Sequence, residues 1–279
     1  MKKPLFNKIC IVGVGLIGGS LGLAIKKRKL ARWVVGVTRR KETIQKAFGM
    51  GALDIATLDL KEGVKDADLV ILCAPISDIK AHLKKIGPYL KRGALVTDVG
   101  SSKVEILAAA KKHLKKNDFV GSHPMAGSEK CGIESARASL FEGAVCFISA
   151  PHQKIETFWK ALGSKPVRLD AGKHDAWAAQ ASHLPHALSF ALLQRIELPT
   201  SKKFELNPSF KDLARLAKSH PRIWTDIFLT NREALLKAIS SYKIKLSLLE
   251  RAIRSGSRPA VMRFILMANA NAKKVSQDG

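Results

Sequence analysis

Along the first 170 or so residues, short runs of apolar and β-branched residues alternate with stretches whose apolar positions recur at helical spacing. The runs at 8–12, 33–37, 69–73, 94–97, 119–121 and 145–148 read as strands, and 167–169 as a short strand closing the sheet at one edge. Between them, 16–29, 40–48, 76–86 and 103–114 read as helices. This alternation predicts a parallel sheet covered by helices. From about residue 171 strand patterns stop and helical ones continue almost to the end, so the expected organisation is an α/β domain over 1–170 and an all-α domain over 171–279. Within the second, 175–196 reads as one long helix kinked at Pro185, which lacks the N–H that would reach the carbonyl of Ala181. Ile223, Ile227, Leu235, Ile239, Leu246 and Leu249 form a stripe that suits packing within the chain or against a second subunit.

A length of 279 residues with 46% hydrophobic content supports two cores without covalent staples. No apolar stretch is long enough to cross a bilayer, and the basic start runs directly into a strand rather than a leader core, so the expected location is the cytoplasm. Cys10, Cys73, Cys131 and Cys146 show no paired spacing and suit a reducing compartment. The net charge of +25 is spread over helix faces, as at Lys26-Lys27-Arg28-Lys29, Lys84-Lys85 and Lys111-Lys112, without aromatic interleaving. That pattern argues against nucleic acid as partner and for a solvated surface that attracts anionic metabolites.

Gly13-Val14-Gly15-Leu16-Ile17-Gly18 follows the first strand and opens the first helix. In that setting G-x-G-x-x-G is the dinucleotide fingerprint of a Rossmann-type domain. Gly13 forms the turn, Gly15 admits the pyrophosphate, and Gly18 lets helix and strand approach, while the helix N-terminus offers free N–H groups. Where NAD binders carry an acidic residue after the second strand, this chain has Thr38, Arg39 and Arg40. A hydroxyl and guanidinium groups suit a 2′-phosphate, so NADP is the expected cofactor, with NAD the alternative. Ala74 and Pro75, after the run at 69–73, join Leu16, Ile17 and Ser101 on the cofactor side.

Asp98-Val99-Gly100-Ser101-Ser102-Lys103 follows the fourth strand, and Gly121-Ser122-His123-Pro124-Met125-Ala126-Gly127-Ser128-Glu129 follows the fifth. A histidine at a strand end, held by a proline and flanked by small residues, is placed for proton transfer. No H-E-x-x-H or cysteine pattern supports a metal site from His123, His183 and His186, and none is expected.

These blocks, with SHLPHA at 182–187 and FKDLARLAKSHPRIW at 210–224, resemble the prephenate dehydrogenase family, which includes arogenate dehydrogenases. The resemblance covers both domains. It implies that His123 is the catalytic base toward the substrate's ring hydroxyl, that Ser101 orients both His123 and that hydroxyl, and that Arg215 binds a substrate carboxylate. It further implies that His186 and Ser182 line the substrate side and that Glu129 sits at the pocket mouth. Trp224 is a candidate contact there, with packing as its ordinary alternative. His186 favours prephenate as substrate, whereas the twin arginines resemble NADP-linked members, among which arogenate users occur. The resemblance thus implies oxidative decarboxylation with hydride transfer, while the apolar stripe and the prevalence of twofold assemblies predict a homodimer through the helical domain. Two rivals remain: a beta-hydroxyacid dehydrogenase, which uses a helical-domain lysine for proton transfer, and a dinucleotide sensor without turnover.

Overall fold

The computed structural model describes residues 3–128, 130–195 and 208–277. The chain opens with β1 (Phe6–Val12), α1 (Leu16–Lys27), β2 (Ala31–Val37), α2 (Lys41–Gly49), β3 (Ile55–Thr57), α3 (Leu60–Val64), β4 (Leu69–Leu72) and α4 (Ile76–Ile86). There follow β5 (Leu95–Asp98), α5 (Val104–His113), β6 (Asp118–Val120), β7 (Ser122–Pro124), β8 (Val145–Ile148), α6 (Gln153–Ala161) and β9 (Lys165–Arg168). The first six strands form one parallel sheet in the order β3-β2-β1-β4-β5-β6. That order reverses between β1 and β4, which opens a crevice beyond their carboxyl ends.

Both faces of this sheet are buried, which is why its strands are continuously apolar instead of alternating. Ile9, Ile11, Leu69 and Ile71 point into one core with Leu21, Ile25, Phe158 and Trp159. Their neighbours Cys10, Val12, Val70 and Leu72 point into the other, with Ile79, Leu83 and Ile106. Each such side chain contributes about 1.5–3 kcal/mol relative to exposure.

The runs at 145–148 and 167–169 do not extend the parallel sheet as the pattern suggested. They form, with β7, a separate sheet ordered β7-β8-β9, in which β7 and β8 are antiparallel. The ladder breaks after Val120 because side chains take over the backbone groups of Ser122. Its N–H is accepted by Asp98 Oδ1 at 3.2 Å, and its carbonyl accepts from Lys103 Nζ at 2.8 Å. Trp159 Nε1–H donates to Ser122 Oγ, which lies 2.8 Å from Thr97 Oγ1, whose own proton goes to the Val120 carbonyl. The chain therefore leaves the sheet at Val120, three residues before His123.

Helices then follow: α7 (Ala171–Ala178), α8 (Leu184–Arg195), α9 (Pro208–Ala217), α10 (Pro221–Thr230), α11 (Arg232–Arg254) and α12 (Arg258–Gln277). Between α7 and α8 lies a π-helical turn, Ala179–His183, where the Leu184 N–H reaches the Ala179 carbonyl. The disturbance expected at Pro185 thus takes the form of a widened turn just before it. The stripe from Ile223 to Leu249 is not one helix; it breaks at Asn231. The chain divides into two compact units, Met1–Arg232 and Glu233–Gly279, the second built of α11 and α12.

Candidate active site

At the carboxyl edge, Gly13 has φ +97°, and a Cβ there would lie 2.3 Å from the Cys73 carbonyl oxygen. At Gly18 a Cβ would lie 2.0 Å from the Gly13 oxygen. Gly15 is different: a Cβ would meet no protein atom within 4 Å, so the space before it is open. Gly15 caps α1 without a side-chain hydrogen bond, and the first turn carries no acidic residue. The amides of Leu16, Ile17 and Gly18, free of helical partners, face an open space suited to a diphosphate. Thr38, Arg39 and Arg40 lie just past β2, Ala74 and Pro75 between β4 and α4, and Ser101 past β5. All therefore sit along the same sheet edge, and a nicotinamide dinucleotide fits the residues present.

Beyond this edge stands His123 on β7, 9% exposed. Its Nδ1 is 2.9 Å from Nε2 of the buried His174, whose Nδ1 is 2.7 Å from Asp175 Oδ1. Asp175 also accepts the Lys103 N–H on Oδ1 at 2.7 Å and the Val104 N–H on Oδ2 at 2.9 Å, which anchors it at the start of α5. These acceptor roles fix the tautomers. Asp175 accepts from His174 Nδ1–H, so His174 Nε2 carries a lone pair and accepts from His123 Nδ1–H. The lone pair of His123 is left on Nε2, which has no hydrogen-bond partner among the described residues. Burial foremost, with the Lys103 ammonium adding to it, holds His123 well below the ordinary imidazole range. It is therefore neutral near pH 7 and able to take a proton.

Under His123 lies a buried ion pair between Lys103 and Asp98, 2% and 0% exposed at their side chains. Asp98 also accepts the Gly100 N–H at 2.8 Å, and burial raises its carboxyl despite the lysine beside it. Desolvating both ions costs several kcal/mol each, offset only because nearly every polar atom here has a partner.

The helices supply an aromatic wall. His186 stacks on Trp224 with centroids 3.6 Å apart and planes 20° from parallel, and Phe190, Phe228 and His183 meet the indole edge-on. His186 Nδ1–H donates to the Ser182 carbonyl at 3.0 Å, and burial followed by the charge of Arg215 lowers its pKa. Arg215, on α9, is exposed and pairs with no carboxylate among the described residues. His183 Nδ1 accepts from Asn231 Nδ2 at 3.0 Å, and burial pushes its pKa down to about 4. Ser182 is half-buried in the π-helical turn. Glu129 lies outside the described residues.

The sequence model described as "Prephenate dehydrogenase, nucleotide-binding domain" matches residues 21–163, and "Prephenate dehydrogenase, dimerization domain" matches residues 170–275. Prephenate dehydrogenase of Lactococcus lactis subsp. cremoris is 35% identical, with 97% of this chain and 77% of the relative covered. The chain belongs to the prephenate dehydrogenase family. It is an oxidoreductase with a nicotinamide dinucleotide as cofactor. The crystal structure of prephenate dehydrogenase from A. aeolicus in complex with hydroxyphenyl propionate and NAD+ superposes with a TM-score of 0.89. Identity there is 29%, over 96% of this chain and 98% of that one. Synechocystis arogenate dehydrogenase gives a TM-score of 0.80 at 31% identity, over 96% and 99% of the two chains.

In this member of the prephenate dehydrogenase family, His123 Nδ1 is hydrogen-bonded to His174 and not to Ser101. His174 occupies the only nitrogen of His123 that such a bond could use without consuming the base, and Ser101 makes no hydrogen bond among the described residues. The neighbouring Ser102 bonds Thr230 Oγ1 at 2.8 Å. Sequence reasoning missed His174, Asp175, Lys103 and Asn231. The adjacent His174-Asp175 pair within α7 was the available signal, since two polar residues there need a reason to be buried.

Proposed function

We propose that the protein is a prephenate dehydrogenase, converting prephenate to 4-hydroxyphenylpyruvate on the route to tyrosine with NADP as the preferred hydride acceptor. The observation that carries this reading is the neutral, tautomer-fixed His123, whose free Nε2 stands beside the dinucleotide edge. Nε2 takes the proton of the ring hydroxyl as hydride leaves the same carbon. The nicotinamide, when bound, supplies the hydride acceptor. The ring carboxylate departs as carbon dioxide, its bonding pair makes the ring aromatic, and the proton returns to the product's phenolic oxygen.

In this reading Ser101 has its hydroxyl available to the substrate's ring hydroxyl. Arg215 binds a carboxylate through its planar fork, which its lack of an ion-pair partner among the described residues supports. His186 and Ser182 line the side-chain end, Trp224 forms the wall against which His186 is held, and Glu129 takes the pocket mouth. Gly13, Gly15, Leu16, Ile17, Gly18, Ala74 and Pro75 hold the dinucleotide, with Thr38, Arg39 and Arg40 on its 2′-phosphate. Residues 1–170 carry the cofactor, and 171–279 carry the substrate contacts and a homodimer contact. The apolar groove of the second unit, lined by Ile253, Val261, Met262, Ile265 and Leu266, supports that last assignment.

The test is reduced-cofactor absorbance with prephenate and arogenate, each against NADP and NAD. Turnover of prephenate with NADP above the other pairings upholds the reading. A preference for arogenate transfers it to the related activity, and no turnover despite cofactor binding removes it. Light scattering giving a monomer mass would remove the dimer.

A further inference from the structure

Asp78 stands between two arginines. Its carboxylate is in the first turn of α4, where Arg222 Nη2 of α10 donates to Oδ1 at 2.8 Å and to Oδ2 at 3.0 Å. Arg39 Nη1 lies 3.8 Å from the same Oδ2, and the Arg39 side chain is 76% exposed. One turn along α4, His82 has a buried Nδ1 without a partner among the described residues, and the charges of both Asp78 and Arg39 act on it. The arrangement is held in place by Asp226 of α10, whose Oδ2 accepts from the Ser77 N–H at 2.9 Å and from Ser77 Oγ at 2.6 Å. Ile227 of α10 is buried in the same core as Ile79 and Leu83 of α4.

We propose that Asp78 is a cofactor-discriminating residue and that Arg222 sets how strongly it discriminates. The proposal rests on the reading of Arg39 as a ligand of the NADP 2′-phosphate. A carboxylate and a phosphate compete for one guanidinium, and the carboxylate also repels the phosphate. Arg222 draws the negative charge of Asp78 into two short hydrogen bonds, which leaves Arg39 a single longer contact and freedom to turn to the cofactor. Without Arg222, Asp78 closes on Arg39 and opposes NADP. NAD carries only hydroxyl groups at that ribose, so its binding is insensitive to this exchange.

The test is calorimetric measurement of NADP and NAD dissociation constants for the whole protein and for Asp78→Asn, Arg222→Gln, the double variant and Arg39→Gln. Asp78→Asn is expected to tighten NADP about two- to fivefold, the scale of a partly exposed ion pair, and to leave NAD unchanged. Arg222→Gln weakens NADP by a similar factor, and adding Asp78→Asn restores it. If Asp78→Asn fails to fold, Asp78→Ser keeps a polar side chain in the first turn and serves the same comparison. Equal shifts for the two cofactors, or no shift, would show a purely structural Asp78 and overturn the proposal. Arg39→Gln separates the two levels: unchanged NADP affinity removes the 2′-phosphate reading and the proposal with it. Weakened NADP affinity alongside an indifferent Asp78→Asn removes the proposal alone.

Discussion

The 2.9 Å hydrogen bond between His123 Nδ1 and His174 Nε2 decides which nitrogen of His123 can act as a base. Because Asp175 only accepts, protons are ordered along the three residues and the free lone pair lies on the far nitrogen of His123. A histidine without this order would divide between two tautomers, one of them inert.

Replacing His123 by Asn removes the basic imidazole nitrogen and is expected to lower kcat by about 100-fold or more, with cofactor affinity unchanged. The pH profile of the unaltered enzyme should carry an acid limb below the ordinary histidine range, because burial and neighbouring positive charge depress His123. Activity should therefore persist as the pH falls below about 6.5. An acid limb above that value would contradict the assigned base.

Asp175→Asn tests the proton order. The amide can offer an N–H to His174, which permits the reversed tautomer, so kcat should fall by about 10²–10⁴ while KM changes little. The same change weakens the cap on α5 and should cost about 1 kcal/mol in stability, read from urea unfolding. Loss of stability with full kcat would reduce Asp175 to a structural cap.

Gly13→Ala and Gly15→Ala are expected to fail differently. At Gly13 the backbone has φ +97° and the added Cβ meets the Cys73 carbonyl, so the protein should lose more than about 1 kcal/mol and its Tm should drop. At Gly15 the space is open, so Tm should hold while dinucleotide affinity weakens. An unchanged dinucleotide affinity in Gly15→Ala would show that the open space before α1 has no part in binding.

His183 should make the fold acid-sensitive. Its pKa is about 4 in the folded protein against 6.5 when unperturbed, so within that window the unfolded chain binds the additional proton. Stability from the neutral, buried form is complete above about pH 6.5 and is lost as the pH falls toward 4, by about 3 kcal/mol in all. His183→Gln should flatten the dependence in urea unfolding measured across this range; an unchanged slope would place the acid sensitivity elsewhere.

Whatever local chemistry dictates was readable from the chain alone. The glycine loop announces itself because only glycine tolerates the backbone at Gly13 and the contact at Gly18. Strands buried on both faces betray themselves as unbroken apolar runs, and His123 stands out because a proline and small residues surround it. The departure of β7 into a second sheet was not readable, since it depends on Asp98 and Lys103 satisfying Ser122 from 24 and 19 positions away. His174 and Asp175 likewise read as ordinary helix residues until folding brings them 51 and 72 positions back, to His123 and to the Lys103 amide. Periodicity reports which face of an element is buried, but not which distant polar atom meets another there. The proton order of this site arises from such meetings, and they exist only once the helices have packed against the sheet.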